Sequence, residues 1–156
     1  MAIDLLDARI ISLFADRPRI GVLEASRRLG VARGTVQSRL DRLETSGVVR
    51  SWGPEVDPEE LGYPVTAFIT LEISQGGGHD PVGEHLALIP EVIEAHTVTG
   101  PGDLWCRVVA RSNTDLQRVL DTVVAHPGIE RSATMISLTS QIRHRLLPLV
   151  NEAGRA

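Results

Sequence analysis

The chain contains no lysine: all sixteen basic residues among its 156 are arginine, a bias from which no function is read. Cysteine occurs once, at Cys106, which excludes an internal disulfide and leaves no thiolate set for a metal. Its neighbours read as a strand, so a buried apolar thiol is expected there. Aromatic residues make up 3% of the chain, and Trp52 and Trp105 stand apart from any aromatic and basic series. They read as packing residues of a wing and a sheet, not as stacking platforms for bases. The five histidines, 79, 85, 96, 126 and 144, show no i,i+4 pair and no Cys companion, so no metal site is expected. A Gly-x-Ser-x-Gly elbow or other nucleophile signature is missing as well, so no catalytic residues are assigned. No apolar run approaches the roughly 18 residues of a membrane span, and the start of the chain carries two acids and no basic stretch. A cytoplasmic protein with no membrane partner is the expectation.

What remains is the composition of a folded protein, 42% hydrophobic and 23% charged, with room for one medium or two small domains. The net charge of −4 does not at first favour a polyanion as partner. Its distribution does. Between Arg17 and Gly53 the chain places eight arginines (17, 19, 27, 28, 33, 39, 42 and 50) against three acids, Glu24, Asp41 and Glu44.

Periodicity divides the chain in two. Residues 4 to 46 read as three helices, with Leu5, Leu6, Ile10, Leu13 and Phe14, then Val22, Ala25 and Leu29, then Val36, Leu40 and Leu43 at helical spacing. Asp4 is the expected N-cap of the first helix, with Asp7 three residues on. From Gly47 to Val56, β-prone pieces around Gly53-Pro54 predict a hairpin or wing. Residues 57–64, polar with two prolines, predict the linker. From Val65 the period changes to two, and strands or helices follow in the order β-α-β-β-α-β. That order predicts a ferredoxin-like antiparallel sheet with both helices on one face. Its other face would expose Phe68 and Trp105, which a second subunit would cover. The expectation is thus an α+β protein: a winged helix-turn-helix over 1–56, a linker over 57–64, and a ferredoxin-like effector-binding and oligomerisation domain over 65–156.

From Ala25 to Leu40 one helix meets another across a turn containing Gly30, which supplies a positive φ; this is helix-turn-helix spacing. Setting Val36, Leu40 and Leu43 inward leaves Gly34, Gln37, Ser38, Asp41 and Arg42 outward, with Thr35 and Arg39 on the flanks. Such a face suits a major groove. Gln37 fits an adenine edge, Ser38 and Thr35 reach bases or phosphates, and Arg28, Arg33, Arg39 and Arg42 supply positive charge. Asp41 is out of place there and is expected to pair with a nearby arginine. A solvated basic face explains the same charges, and pattern alone does not exclude it.

Residues 4 to 63 resemble the N-terminal half of the Lrp/AsnC (leucine-responsive/asparagine regulator) family. The matches are Leu6-Asp7 with Ile10-Ile11, Leu29-Gly30-Val31, Gly34-Thr35-Val36, Arg39-Leu40, Arg42-Leu43-Glu44, Gly47-Val48-Val49, and Asp57-Pro58 before Leu61-Gly62. The second half is similar through Thr99-Gly100-Pro101-Gly102-Asp103 and His126-Pro127-Gly128-Ile129. Ala32 departs from the family, which usually has Ser as the recognition-helix N-cap; the lost hydroxyl is worth about 1 kcal/mol. The chain also begins almost at its first helix, so a contact made by a longer arm is not expected.

The resemblance implies a DNA-binding transcription regulator, a homodimer that can assemble further to an octamer, and a small-molecule effector, commonly an amino acid. On residues alone, Gly100-Pro101-Gly102-Asp103 reads as a type II turn joining two strands. The resemblance places effectors near this loop, which carries the role to Gly100, Gly102 and Asp103, and to Thr134 on the last strand. No cofactor is implied. Two alternatives stand beside this reading: siroheme decarboxylases, enzymes that resemble the family in both halves, and an architectural DNA-binding protein that senses nothing.

Overall fold

A computed structural model describes residues 2–74 and 79–155. Along the chain the elements are α1 (Leu5–Asp16), α2 (Val22–Leu29), α3 (Arg33–Thr45), β1 (Val65–Ile73), α4 (His79–Ala87), β2 (Val92–Thr97), β3 (Leu104–Ala110), α5 (Asn113–Val124), β4 (Ile129–Ile136) and α6 (Leu147–Ala153). The predicted loop Gln75-Gly76-Gly77-Gly78 lies outside the described residues. The elements fall into two compact units, residues 1–55 with 141–156, and residues 56–140.

In the first unit α1, α2 and α3 enclose Ile10, Phe14, Ala25, Leu29, Val36, Leu40 and Leu43. Burying each large aliphatic side chain contributes roughly 1.5–3 kcal/mol, which sets these short helices where their own propensity would not. The expected cap is present. Asp4 accepts from the Asp7 amide at 2.9 Å and Asp7 returns the bond to the Asp4 amide at 3.0 Å, a reciprocal capping box. Gly30 ends α2 at φ 71°, a left-handed conformation that lets the chain turn into α3. The N-cap of α3 is Ala32, and no side chain caps it.

Two features of this unit differ from expectation. The wing has no paired strands: residues 50–56 are irregular, and their anchor is Trp52, which packs on Phe14 at 5.4 Å between ring centroids and donates its indole N–H to Glu44. The residues from 141 onward, assigned from sequence to the second domain, belong to the first unit, where α6 lies along α1.

The second unit is the predicted βαββαβ fold. Its antiparallel sheet has the order β2-β3-β1-β4. Alternation along β1 turns Ala67, Ile69 and Leu71 to one face, where they meet Val82, Leu86 and Ile89 from α4 and its exit, and Leu116, Val119 and Val123 from α5. Cys106 is buried in this layer, and burial pushes its thiol up to about 11. The opposite face carries Phe68 stacked on Trp105 at 5.3 Å, His96 at 5.9 Å from Trp105, and exposed Met135. The Nε of Arg107 is buried on this face without a partner among the described residues. Residues 57–64 are more than a tether: the Leu61 amide donates to Asp57 and Pro58, the Tyr63 amide to Pro58, and the Tyr63 hydroxyl accepts from Arg111 at 3.1 Å.

Candidate nucleic-acid interface and effector loop

Helix α3 buries Val36, Leu40 and Leu43, and this fixes which residues look outward. Arg33, Gly34, Thr35, Gln37 and Ser38 are exposed along its N-terminal half. Among the described residues Arg33 has no ion-pair partner, so its charge is available to a polyanion. The arginine partner that the sequence predicts for Asp41 is not what it takes: its Oδ1 accepts from the Gln37 amide at 2.8 Å. One turn separates the two residues, the spacing at which helix side chains meet. That bond holds the Gln37 amide on the outer face.

Arg39 and Arg42 turn the other way. The Arg39 Nη1 lies 3.0 Å from Asp7 Oδ1 and also bonds Asp4, while Arg42 Nη2 lies 2.6 Å from Asp7 Oδ2. Asp7 is fully buried, and its carboxylate accepts from both guanidinium groups and from the Asp4 amide. These bonds tie the middle of α3 to the first turn of α1. The Arg39 hydrogen bond holds the Asp4 carboxyl below its ordinary value, helped by the Asp7 amide. Arg28 is likewise engaged, with Glu24 at 2.8 Å one turn back in α2. Sequence reasoning found the Asp4-Asp7 cap but not its second role, because the partners lie 32 and 35 residues away.

In the second unit the loop from Val98 to Asp103 closes the β2–β3 hairpin, with the Val98 amide donating to the Asp103 carbonyl at 3.0 Å. Gly102 has φ 98°, as the third position of a type II turn requires. It also has no room: a Cβ there would lie 2.3 Å from Thr70 Cγ2 and 3.1 Å from the Leu71 carbonyl oxygen. Asp103 holds the loop to the sheet, its amide donating to the Leu71 carbonyl at 2.8 Å and its Oδ2 accepting from the Ile73 amide at 2.7 Å. Thr134 is exposed on β4, paired with Ile69 across β1. The loop and Thr134 therefore flank β1 from opposite sides. Sequence reading missed a cleft of about 450 Å³ between α4 and β2, lined by Asp80, Glu84, Ala95, Thr97 and Leu104. It opens beside this loop, since Thr97 and Leu104 are the strand ends that the loop joins. Among the described residues no three His, Cys, Asp or Glu side chains are grouped to hold a metal ion. No helix among them is long and apolar enough to cross a membrane.

Comparison with known proteins meets this geometry in both units. Residues 3–50 match the winged helix-turn-helix DNA-binding family, and residues 66–147 match the Lrp/AsnC ligand binding domain. The chain is 31% identical to the HTH-type transcriptional regulator FL11 of Pyrococcus horikoshii, over 94% of this chain and 97% of that protein. Among solved structures it is similar to Escherichia coli AsnC, with a TM-score of 0.87 and 26% identity over 95% of this chain and 100% of the other. It is also similar to a transcriptional regulator of Neisseria meningitidis in its L-Met complex, with a TM-score of 0.76 and 26% identity over 94% and 99% of the two chains. These relatives are regulators by name, and the enzymatic alternative falls with that. The two units and their matches lead to one statement: the chain belongs to the Lrp/AsnC family, as a DNA-binding transcriptional regulator with a ligand-binding domain.

Proposed function

We propose that the protein reads specific DNA sequences through the N-terminal half of α3 and answers to an amino acid bound in its second unit. The observation that carries the first part is the open face from Arg33 to Ser38: a free cation, two hydroxyls, and a Gln37 amide held outward by Asp41. Gln37 and Ser38 are the base-reading residues in this view, Thr35 and the Gly34 backbone approach the groove wall, and Arg33 contacts phosphate. Arg28, Arg39 and Arg42 stand at the edge of the same surface with their charges already partly matched. The reading near the sensor loop is supported by the cleft beside it, where Asp80 and Glu84 suit an ammonium group, and by the backbone of Gly100 and Gly102, which suits a carboxylate. Asp103 and Thr134 are the polar side chains nearest to that role on β3 and β4.

A homodimer, extending to larger assemblies, is the working state in this proposal. The Phe68–Trp105 stack, exposed Met135 and the unpartnered Arg107 Nε support a second copy seated on the open sheet face. Two recognition helices then meet half-sites roughly 34 Å apart, and the regulator works in the cytoplasm. Footprinting on the DNA upstream of its own gene, with and without a mixture of the twenty amino acids, tests the reading. Protection of a two-fold site that changes with the mixture is expected; uniform coverage of all sequences, indifferent to the mixture, would leave only an architectural protein.

A further inference from the structure

Residues 148–155 lie beyond both family matches, yet they complete the DNA-binding unit. Helix α6 runs along α1, with Ser12 Oγ 3.2 Å from Asn151 Oδ1 and Gly154 buried at its end. Gly154 has φ −77° and ψ −8°, a conformation open to any residue, so the backbone does not require glycine there. Space does. A Cβ at this position would lie 2.5 Å from the Ala8 Cβ and 3.1 Å from the Asp4 carbonyl oxygen. Both contacts fall on the first turn of α1. That same turn carries the Asp4 and Asp7 carboxylates that grip Arg39 and Arg42 of α3. The C-terminal helix, the α1 turn and the recognition helix are therefore three layers in direct succession, and a shift of the first is passed on by packing and by ion pairs with little slack.

We propose that α6 is a positioning element for DNA reading: it seats the first turn of α1, and through Asp4 and Asp7 it sets the recognition helix. The chain segment that leaves β4 thus ends by fixing the helix that meets DNA, and Gly154 and Ala8 are its closest contact.

The test is a double-mutant cycle in the full chain with Gly154→Ala, Ala8→Gly and the pair, read by fluorescence anisotropy on the footprinted duplex. One added methyl group in a closed contact is expected to weaken DNA binding about tenfold, and removing the opposing methyl in the double variant to restore it to within about threefold. The carboxyl carbon of Asp4, followed by NMR, is the second readout: in Gly154→Ala its titration midpoint is expected to rise toward that of an ordinary aspartate, because the Arg39 contact loosens. A plain loss of stability elsewhere would not move that midpoint. Unchanged DNA affinity in Gly154→Ala, losses that only multiply in the double variant, or weakened binding with the Asp4 midpoint unmoved would each overturn the proposal.

Discussion

Asp7→Asn is the substitution that most directly questions how the recognition helix is held. The native carboxylate is fully buried and accepts from the Asp4 amide at 3.0 Å, Arg39 at 3.0 Å and Arg42 at 2.6 Å. Asparagine keeps the shape and can still cap α1, but it removes the charge and turns an NH2 group toward a guanidinium. A hydrogen bond to a charged group contributes about 1.5–3 kcal/mol. The Arg39 and Arg42 side chains are 26% and 45% exposed, so once released each recovers part of its hydration, which favours the lower half of that range. With one guanidinium bond kept by the remaining amide oxygen and the other lost, the expected loss is about 1.5–2.3 kcal/mol, or roughly 6–18 °C in the melting temperature of a helical unit of this size. Trp52 packs on Phe14 within the unit, so its fluorescence in a Trp105→Phe background follows that transition alone. Arg33→Ala is the contrast: its stability should change by less than about 0.5 kcal/mol, while the salt dependence of DNA binding flattens by up to about 0.9 in slope. If Asp7→Asn melted within about 2 °C of the parent protein, the buried carboxylate would not be the anchor described, and the account of α3 would have to be abandoned.

Three further expectations follow from the same physics. Asp4 is held below its ordinary value chiefly by Arg39, and Asp115 chiefly by the Arg111 amide and then Arg118. Both folded carboxyls thus favour the charged form, and the stability they add is full above the unfolded value of about pH 4 and disappears as pH falls through the depressed values. Urea midpoints measured from pH 6 to pH 2.5 should drop on acidification, and less so in Asp115→Asn. Gly102→Ala combines a φ of 98° with a backbone carbonyl 3.1 Å from the new methyl, and should destabilise the second unit by about 2–3 kcal/mol in urea unfolding. Cys106, with its thiol near 11, should react with a disulfide reagent at pH 8 only through opening, since about one molecule in a thousand carries the thiolate; prompt reaction in the native state would contradict its burial.

The sheet unit was legible because one face of each central strand is buried. Ala67, Ile69 and Leu71 alternate with Thr66, Phe68 and Thr70, and a period of two admits one reading. The helix-turn-helix was legible for similarly local reasons: the Asp4–Asp7 cap and Gly30 act within a few residues of themselves. What escaped was tertiary. Arg39 and Arg42 carry charge on a helix flank whether they serve phosphate or Asp7, and only the fold reveals the carboxylate 32 and 35 residues away. Asp41 took Gln37 as partner, because an i,i+4 neighbour on the same helix needs no chain rearrangement to reach it. Helix α6 gave too few turns to display a period, and the residue that seats it is a glycine with nothing to show but its lack of a side chain. The wing failed as a hairpin because Trp52 anchors that segment to Phe14 and Glu44, a tie that β-propensity does not encode.

The pairing of α6 with α1 also orders events at the ribosome. Ser12 and Asn151 are separated by 139 positions, and the whole sensor unit is made between them. At about 5–20 residues per second, the first three helices, complete at Thr45, wait roughly 5–21 s for the segment that closes them. When that segment emerges the later-made unit is already complete and the earlier-made one is not, so the half that grips DNA is the last to mature.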